Sequence, residues 1–393
     1  MMSAAVKSRG GYFFLEKQEN KMLRPLDDRI HKIPSGCGVT GIMDRSGAVF
    51  SGGDIVASIC NMMERGNGLG SGYAAYGIYP EYKDYYCFHM MFGREAAVEE
   101  SEAFLKKNFD IRLAEPIPTK SVKTLKTPPI LKRYFLKPKE EKLVFLDDFS
   151  RKETEDEYTA EKAFELNRTV KEAFIFSSGK NMGAFKGVGN PDEIAEFFMI
   201  PDYKANIWTA HNRFPTNSVA WWGGAHPFGL LNWTVVHNGE ISSYGINRRY
   251  LENFGYYCTL FTDTEVIAYL FDLLVRKHRL SYEYACKAIA APFWSQIERM
   301  SPEDKELHTR MRMIYAPALL NGPFAIIVSD GNMMLGLNDR TKLRPLVCGE
   351  KGTKLYIASE EASIRTVSPV LDRIWMPDAG KPVIGVFTKT KSL

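Results

Sequence analysis

Segments of strand character lie at both ends of the patterned part of this chain, and helical segments lie among them. The pattern begins abruptly at residue 37 with CGVTGIMDRSGAVF, and the C-terminal part, from PFAIIVSDG onward, joins strand-like runs by Asp-Gly and Gly-Glu turns. Between these parts, DIVASICNMMERG and TEVIAYLFDLLVRKH have apolar residues at helical spacing. Strands, then helices, then strands again predict stacked sheets that are covered by helices.

Local signals place several elements along the chain. Alternation within residues 37–50, with a turn at DRSG, predicts a hairpin. The helix that follows is expected to end at Gly66, and the aromatic-rich residues 73–92 are expected to form strands. A second helix is expected to begin after Asn190, since this residue can cap it with Pro191 as its first residue. A third is expected to begin after Thr264.

Two regions do not follow this pattern. Residues 1–36 are polar and without periodicity, so we interpret them as a leader that precedes a domain spanning residues 37–393. Residues 95–175 contain a proline-rich basic segment and then a run of mixed charge. We interpret residues 95–175 as an insertion or peripheral subdomain with solvated faces.

Composition excludes several classes of protein. Hydrophobic residues make up 45% and charged residues 25% of the 393 residues, so a disordered chain is not expected. The net charge of +4 (51 − 47) is too weak for a nucleic-acid footprint. The six cysteines include no CxxC pair or zinc-type spacing, and no segment resembles a signal peptide or a membrane span. We therefore expect no metal and a cytoplasmic location with reduced thiols.

Cys37 differs from the other cysteines because glycines flank it on both sides, at Gly36 and Gly38. An inert buried thiol is the ordinary interpretation of a cysteine. A nucleophile elbow of G-x-C-x-G type is not available, because Ser35 and Val39 occupy the required glycine positions. If the chain is cut between Gly36 and Cys37, however, the new α-amine has a pKa of about 7.7–8.0. That amine can take the thiol proton and return it to a leaving amine.

Three further groups suit the cleavage of a side-chain amide. Asn238 and Gly239 follow an apolar strand and can supply an oxyanion hole through a side-chain amide and a backbone N–H. Arg213 can bind a carboxylate through two parallel N–H bonds, and Asp263 can pair with an α-ammonium. Each has an ordinary alternative, since Asn-Gly is a common turn and single charges commonly form ion pairs. Together with Cys37 they describe a site for an L-amino acid.

Two other patterns are weaker. GSGYAA at residues 70–75 matches GxGxxA, but a helical segment precedes it and an aromatic strand follows, the reverse of a dinucleotide site. We expect a flexible glycine loop there. His237 beside Asn238 is compatible with a Cys/His/Asn hydrolase, although a single histidine is more often a structural residue.

These residues resemble the class II glutamine amidotransferases, which are N-terminal-nucleophile hydrolases. The matching pieces occur in the family's order: CGVTGI from Cys37, ERGNGLGSG at 64–72, HNRFPTN at 211–217, AHPF at 225–228, VVHNGEI at 235–241, TDTEVIAYL at 262–270 and LNDRTKLRPL at 337–346. The resemblance implies an α+β fold, a four-layer αββα sandwich of two antiparallel sheets, here with the inserted peripheral segment.

The resemblance also implies a role for individual residues. Cys37 corresponds to the nucleophile, freed by cleavage after Gly36, and Asn238 and Gly239 to the oxyanion hole. Arg213 and Asp263 correspond to the groups that hold the carboxylate and amine of glutamine. Thr216 and His226 are further residues expected in the pocket, and Arg65 is expected beside it.

Within the family, the leader and the RTKLRPL segment look most like the separate amidotransferase subunit of archaeal-type glutamate synthase. That likeness implies hydrolysis of L-glutamine to L-glutamate and ammonia, which passes to a separate synthase subunit. We expect no synthase domain on this chain, so any flavin or iron–sulfur cluster is expected on that partner and no cofactor on this chain. Two alternatives stay open: a subunit of an N-methylglutamate-synthase-type enzyme, and a non-catalytic regulatory subunit that retains its leader.

Overall fold

The structure is a computed structural model that describes residues 36–143, 151–214 and 220–388, with only the backbone described at 151–153. Residues 1–35 of the expected leader and Thr216 lie outside the described residues.

The described residues form strands and helices that are numbered here in chain order. The strands are β1 (Gly38–Asp44), β2 (Phe50–Ser51), β3 (Ser71–Tyr76), β4 (Tyr86–Phe92), β5 (Phe109–Pro116), β6 (Ile130–Pro138), β7 (Ala173–Ser177), β8 (Met182–Gly187), β9 (Lys204–Ala205), β10 (Ile207–Asn212), β11 (Phe228–Leu230), β12 (Trp233–Gly239), β13 (Phe324–Ser329), β14 (Met333–Asn338), β15 (Val347–Lys351), β16 (Lys354–Ala358), β17 (Arg373–Trp375) and β18 (Val383–Val386). The α-helices are α1 (Gly53–Cys60), α2 (Glu95–Asn108), α3 (Arg151–Thr169), α4 (Pro191–Phe197), α5 (Tyr244–Glu252), α6 (Asp263–Phe271), α7 (Tyr282–Ile289), α8 (Trp294–Ile297), α9 (Pro302–Ile314) and α10 (Glu361–Val367).

Two antiparallel sheets form the centre of the fold. The larger has seven strands in the order β17-β15-β16-β1-β10-β3-β8, and the other has five in the order β11-β12-β13-β14-β18. Their facing side chains share one apolar core, which includes Val39 and Ile207 from the first sheet and Val236 and Ile327 from the second. Burying these residues removes apolar surface from water at a gain of roughly 25 cal/mol per Å².

Helices cover the outer face of each sheet. Ile55 of α1 and Ile194 of α4 pack with Trp208 of the seven-stranded sheet. On the other side, Ile267 of α6 packs in one core with Ile326 of the five-stranded sheet. The protein is therefore an α+β fold with a four-layer αββα arrangement, as the resemblance implies.

The predicted hairpin at residues 37–50 is wrong. Strand β1 pairs with β10 and β16, both antiparallel, while β2 pairs with β9. All seven residues of β1 are buried because the strand lies centrally in a sheet that is covered on both faces. The alternating pattern therefore belongs to a strand whose two faces are both buried, and not to a half-exposed strand.

Other local predictions have mixed outcomes. The helix expected to reach Gly66 ends earlier, since α1 stops at Cys60 and a separate 3-10 turn covers Met63–Arg65. Helix α4 begins as predicted, after Asn190 and with Pro191 in its first turn.

The expected insertion contributes to a four-stranded sheet with the order β5-β6-β4-β7. Its charged run is not a purely solvated face, because Phe164 and Leu166 of α3 are buried in the same core as α6. The run is thus an amphipathic helix that buries its apolar side chains, while Glu161 and Arg168 are exposed. Whether residues 95–175 are an insertion stays a prediction. None of the helices in the described ranges has the length and apolar character needed to cross a bilayer.

Candidate active site

Cys37 lies directly before β1, at one end of the seven-stranded sheet. Gly38 is paired with Asn212, the last residue of β10, so Cys37 faces the residues that follow that strand. The backbone N–H of Phe214 donates to Cys37 Sγ at 3.3 Å. The antiparallel register thus places the thiol beside Arg213 and Phe214, which are distant in sequence.

The environment of the Cys37 thiol favours its protonated form. Burial raises the pKa of Cys37, and this effect outweighs the opposing influence of the Phe214 N–H and of the nearby guanidinium groups of Arg213, Arg344 and Arg65. A thiol of this kind needs a base before it can act as a nucleophile.

The peptide bond before Cys37 is fixed from several sides. The N–H of Gly36 donates to the carbonyl of Arg65 at 3.3 Å, and Nε of Arg65 donates to the carbonyl of Cys37 at 3.0 Å. A Cβ built on Gly36 would lie 3.8 Å from Nη1 of Arg344 and 4.0 Å from Oδ1 of Asn238. The Asn238 amide is therefore close to the bond that the leader hypothesis requires to be cut.

Asn238 and Gly239 are the last residues of β12. Asn238 is opposite Ala325 in the ladder, and Ala325 belongs to the core between the sheets, so the amide faces the seven-stranded sheet. Its Nδ2 is buried and has no hydrogen-bond partner among the described residues. Gly239 has φ +150°, and a Cβ there would lie 2.0 Å from the carbonyl oxygen of Pro323. Only glycine fits this position.

Asp263 begins helix α6, after the N-cap residue Thr262. Its Oδ2 accepts from the N–H of Ile241 at 2.9 Å, and its Oδ1 lies 3.3 Å from Thr264 Oγ1 and 3.7 Å from His237 Nδ1. Burial raises the pKa of the Asp263 carboxyl, but the His237 ring and these hydrogen bonds outweigh burial and hold the pKa below its usual value. The carboxylate is ionised at neutral pH.

His226 precedes Pro227, and the peptide bond between them is cis. The His226 side chain reaches Thr264 from the loop before β11. Its Nε2 lies 2.8 Å from Thr264 Oγ1, and its ring stacks on His211 at 3.8 Å between centroids. Burial holds the pKa of His226 well below its usual value, and it lowers the pKa of His211 to about 3. Both rings are therefore neutral.

One cleft of about 230 Å³ brings these groups together. Five of the predicted site residues line it: Cys37, Arg213, His226, Gly239 and Asp263. The volume is small beside that of sites for drug-sized ligands and suits a single amino acid. The cleft has a thiol and a guanidinium as well as a carboxylate, which is the chemistry expected for an amino acid with a reactive side chain.

Sequence reasoning did not assign a role to three residues at this site. Phe214 and Thr264 line the cleft, and Arg344 lies beside Gly36. All three stand inside motifs that the sequence showed, HNRFPTN, TDTEVIAYL and LNDRTKLRPL. The position of a residue in a motif was the available signal, but its contacts depend on strand register and loop packing.

Comparison with known proteins agrees with this chemistry. The family model described as glutamine amidotransferases class-II matches residues 115–254. An uncharacterized protein of Archaeoglobus fulgidus is 50% identical over 92% of this chain and 94% of its own length. A putative glutamine amidotransferase of Methanothermobacter thermautotrophicus is 27% identical over 51% of this chain and 57% of its own length. The glutamate synthase [NADPH] large chain of Bacillus subtilis is 26% identical over 41% of this chain and 11% of its own length.

The chain contains a class II glutamine amidotransferase domain. It spans 57% of the length of the archaeal amidotransferase and 11% of the length of the synthase chain that it matches.

Proposed function

We propose that this protein hydrolyses L-glutamine to L-glutamate and ammonia, with Cys37 as an N-terminal nucleophile, and that it delivers the ammonia to a separate synthase subunit. One observation carries the proposal: the cleft that contains the Cys37 thiol also contains the Asp263 carboxylate and the Arg213 guanidinium. The class II glutamine amidotransferase domain supports glutamine as the substrate.

Substrate binding uses the two charged groups of the cleft. Arg213 binds the α-carboxylate through its guanidinium, and Asp263 accepts hydrogen bonds from the α-ammonium. Burial lowers the pKa of Arg213, while the charge that Cys37 carries when it is ionised opposes that effect. With both ends of the amino acid held, its side-chain amide extends toward Cys37.

The first half-reaction forms a thioester. The α-amine of Cys37, free after removal of the leader, takes the thiol proton, and Sγ attacks the amide carbon. The Asn238 Nδ2–H and the Gly239 N–H donate to the oxyanion. The protonated α-amine then gives its proton to the leaving nitrogen, and ammonia departs.

The second half-reaction returns the enzyme to its starting state. The α-amine takes a proton from water, which attacks the γ-glutamyl thioester, and the same oxyanion donors act again. Sγ leaves as the thiolate and recovers the proton from the amine, while L-glutamate is released. No cofactor or metal is needed for either step.

A glutamate-synthase-type partner is the proposed acceptor of the ammonia. The likeness of part of the chain to the glutamate synthase large chain of Bacillus subtilis supports this choice. The flavin and the iron–sulfur cluster of such a reaction would belong to the partner. Copurification followed by ammonia-dependent amination of 2-oxoglutarate would identify it.

Turnover of L-glutamine by Cys37 variants tests the mechanism. We expect glutamate release by the purified protein to disappear in Cys37→Ser and Cys37→Ala, with retained thermal unfolding. Cys60→Ser is the matched control, because Cys60 is also half-buried but does not line the cleft. Activity that survives Cys37→Ala would contradict the mechanism.

Removal of the leader is proposed to be self-catalysed. The Cys37 thiol attacks the Gly36 carbonyl, the peptide C–N bond breaks as the nitrogen takes the thiol proton, and water hydrolyses the resulting thioester. The nearby Asn238 amide supports this step. Mass spectrometry of the N-terminus tests it: we expect a start at Cys37 in the wild type and no trimming in Cys37→Ala. A start at Met1 or Met2 in an active wild-type protein would instead favour the regulatory subunit.

A further inference from the structure

The hydroxyl of Thr264 contacts three polar side chains at the end of the cleft that contains Asp263, and we call this group of contacts the Thr264 hub. Thr264 is fully buried at the start of α6. Its Oγ1 lies 2.8 Å from His226 Nε2, 3.1 Å from His237 Nδ1 and 3.3 Å from Asp263 Oδ1. Three functional groups from three chain segments thus meet at one hydroxyl.

Counting protons fixes the direction of these hydrogen bonds. A hydroxyl has one proton and two acceptor sites, while an ionised carboxylate can only accept. The Thr264 proton must therefore point to Asp263 if all three contacts are hydrogen bonds. Both imidazoles must then donate to Thr264, so that His226 is protonated on Nε2 and His237 on Nδ1.

The remaining ring nitrogens agree with this arrangement. Nδ1 of His226 and Nε2 of His237 are buried and have no partner among the residues that the structure describes. A buried N–H without an acceptor costs more than a lone pair without a donor, so these nitrogens are best left unprotonated. His226 also stacks face to face on the neutral His211 ring.

We infer that Thr264 is a positioning residue that fixes the orientation of the Asp263 carboxylate, and that this orientation favours ligands with a primary ammonium group. The inference rests on the proposed function and deepens it. The Asp263 carboxylate lines the cleft and is the acceptor for the ammonium. His226 and His237 hold the Thr264 hydroxyl so that its proton points to Asp263. Ligands that lack the amine cannot donate to Asp263, so the Thr264 hydroxyl should not affect their binding.

Thr264→Val tests the inference, because valine keeps the shape and removes the hydroxyl. We expect KM for L-glutamine to rise about tenfold to a hundredfold, from the loss of hydrogen bonds to a charged group, while kcat changes little. Glutaramate, which is L-glutamine without its α-amine, should be a poor substrate of the wild type, and its kcat/KM should be unchanged in the variant. Thr264→Ser should restore KM for L-glutamine.

Thr209→Val is the matched control. Thr209 is a buried threonine on β10, and its hydroxyl has no partner within the described part of the chain. We expect its kinetics with both substrates to match the wild type. Equal losses for L-glutamine and glutaramate in Thr264→Val would mean a merely structural role and would overturn the inference, as would an unchanged KM.

A measurement that does not depend on turnover separates this inference from the proposed function. Nitrogen NMR of the histidine side chains should show protonated Nε2 in His226 and protonated Nδ1 in His237 in the wild type, and altered protonation in Thr264→Val. If the wild type does not turn over glutamine, the proposed function fails while these tautomers still test the hub. A proton on Nδ1 of His226 in the wild type would overturn the inference even in an active enzyme.

Discussion

At the scale of single residues, the Asn238 amide is a donor without a partner in the described residues. In the proposed reaction it stabilises only the oxyanion, so Asn238→Ala should lower kcat by about 10²–10³ with a small change in KM. Because none of the described residues accepts a hydrogen bond from this donor, its loss should leave the free energy of unfolding close to the wild-type value. Steady-state kinetics together with urea unfolding check both parts. A large loss of stability would place the amide in a structural role instead.

Gly239 is constrained by its backbone. With φ at +150° and the Pro323 carbonyl oxygen 2.0 Å from the position of a Cβ, Gly239→Ala has no room and an unfavourable conformation. Such strain typically costs about 1–3 kcal/mol, and the clash adds to it. We expect a lower melting temperature and a loss of activity. Gly47→Ala is a suitable control, since Gly47 also has a positive φ but has open space around it and does not line the cleft.

At the scale of elements, helix α4 begins with a capping pattern that is visible in the sequence. The Glu193 carboxylate accepts from the N–H of Asn190 at 2.7 Å, which completes a capping box. Glu193→Ala should therefore lower the free energy of unfolding by about 0.5–2 kcal/mol. Chemical denaturation measures the change, and glutamine turnover should remain because α4 contributes no residue to the cleft.

Helix α6 anchors the loop before Asp263 through Glu265. The Glu265 carboxyl accepts from the N–H groups of Thr259 and Leu260, both at 3.0 Å. Burial raises the pKa of Glu265 to about 7. Since the folded pKa lies above the unfolded value of about 4.3, the stabilisation that comes from binding this proton is present below pH 4.3 and is lost as the pH rises through about 7.

Glu265→Gln therefore changes how stability depends on pH. Glutamine does not titrate, so the free energy of unfolding of the variant should fall less between pH 4.5 and 7.5 than that of the wild type. Urea unfolding at several pH values measures the two slopes. Parallel curves would show that Glu265 has the same pKa in both states. Glu283→Gln is the control, since Glu283 is an exposed residue in the first turn of α7.

The sequence predicted the features that depend on residues close together in the chain, and not those that depend on distant segments. The cap of α4 and the helix after Thr264 rest on neighbours in the chain, and they were predicted. The partners of β1 lie about 170 and 315 residues away, in β10 and β16, and no local pattern specifies them. The same limit explains why the motif residues were found while the hub at Thr264 and the place of Arg344 were not, because those depend on three or more segments meeting.

At the scale of the whole molecule, the six cysteines differ in burial: Cys37 and Cys60 are half-buried, and the other four are buried. The six cysteines are all free thiols. Burial raises the pKa of Cys60 to about 11 and that of Cys348 to about 12, and it also raises the pKa of the remaining three, Cys87, Cys258 and Cys286. These five are poor nucleophiles near neutral pH. Cys37 also has a raised thiol pKa, but in the proposed enzyme its own α-amine supplies the base.

An electrophilic analogue of L-glutamine should therefore add to one site per chain. Intact-mass spectrometry at pH 7.5 is expected to show a single adduct on the processed wild type, with peptide mapping to Cys37, and excess L-glutamine should prevent it. Cys37→Ser should stay unlabelled, and Cys60→Ser should label like the wild type. A chain that retains its leader should react far more slowly, because its residue 37 has an amide nitrogen in place of the amine. Equal rates for the two forms would remove the α-amine from the mechanism and leave the thiol to be activated by another group.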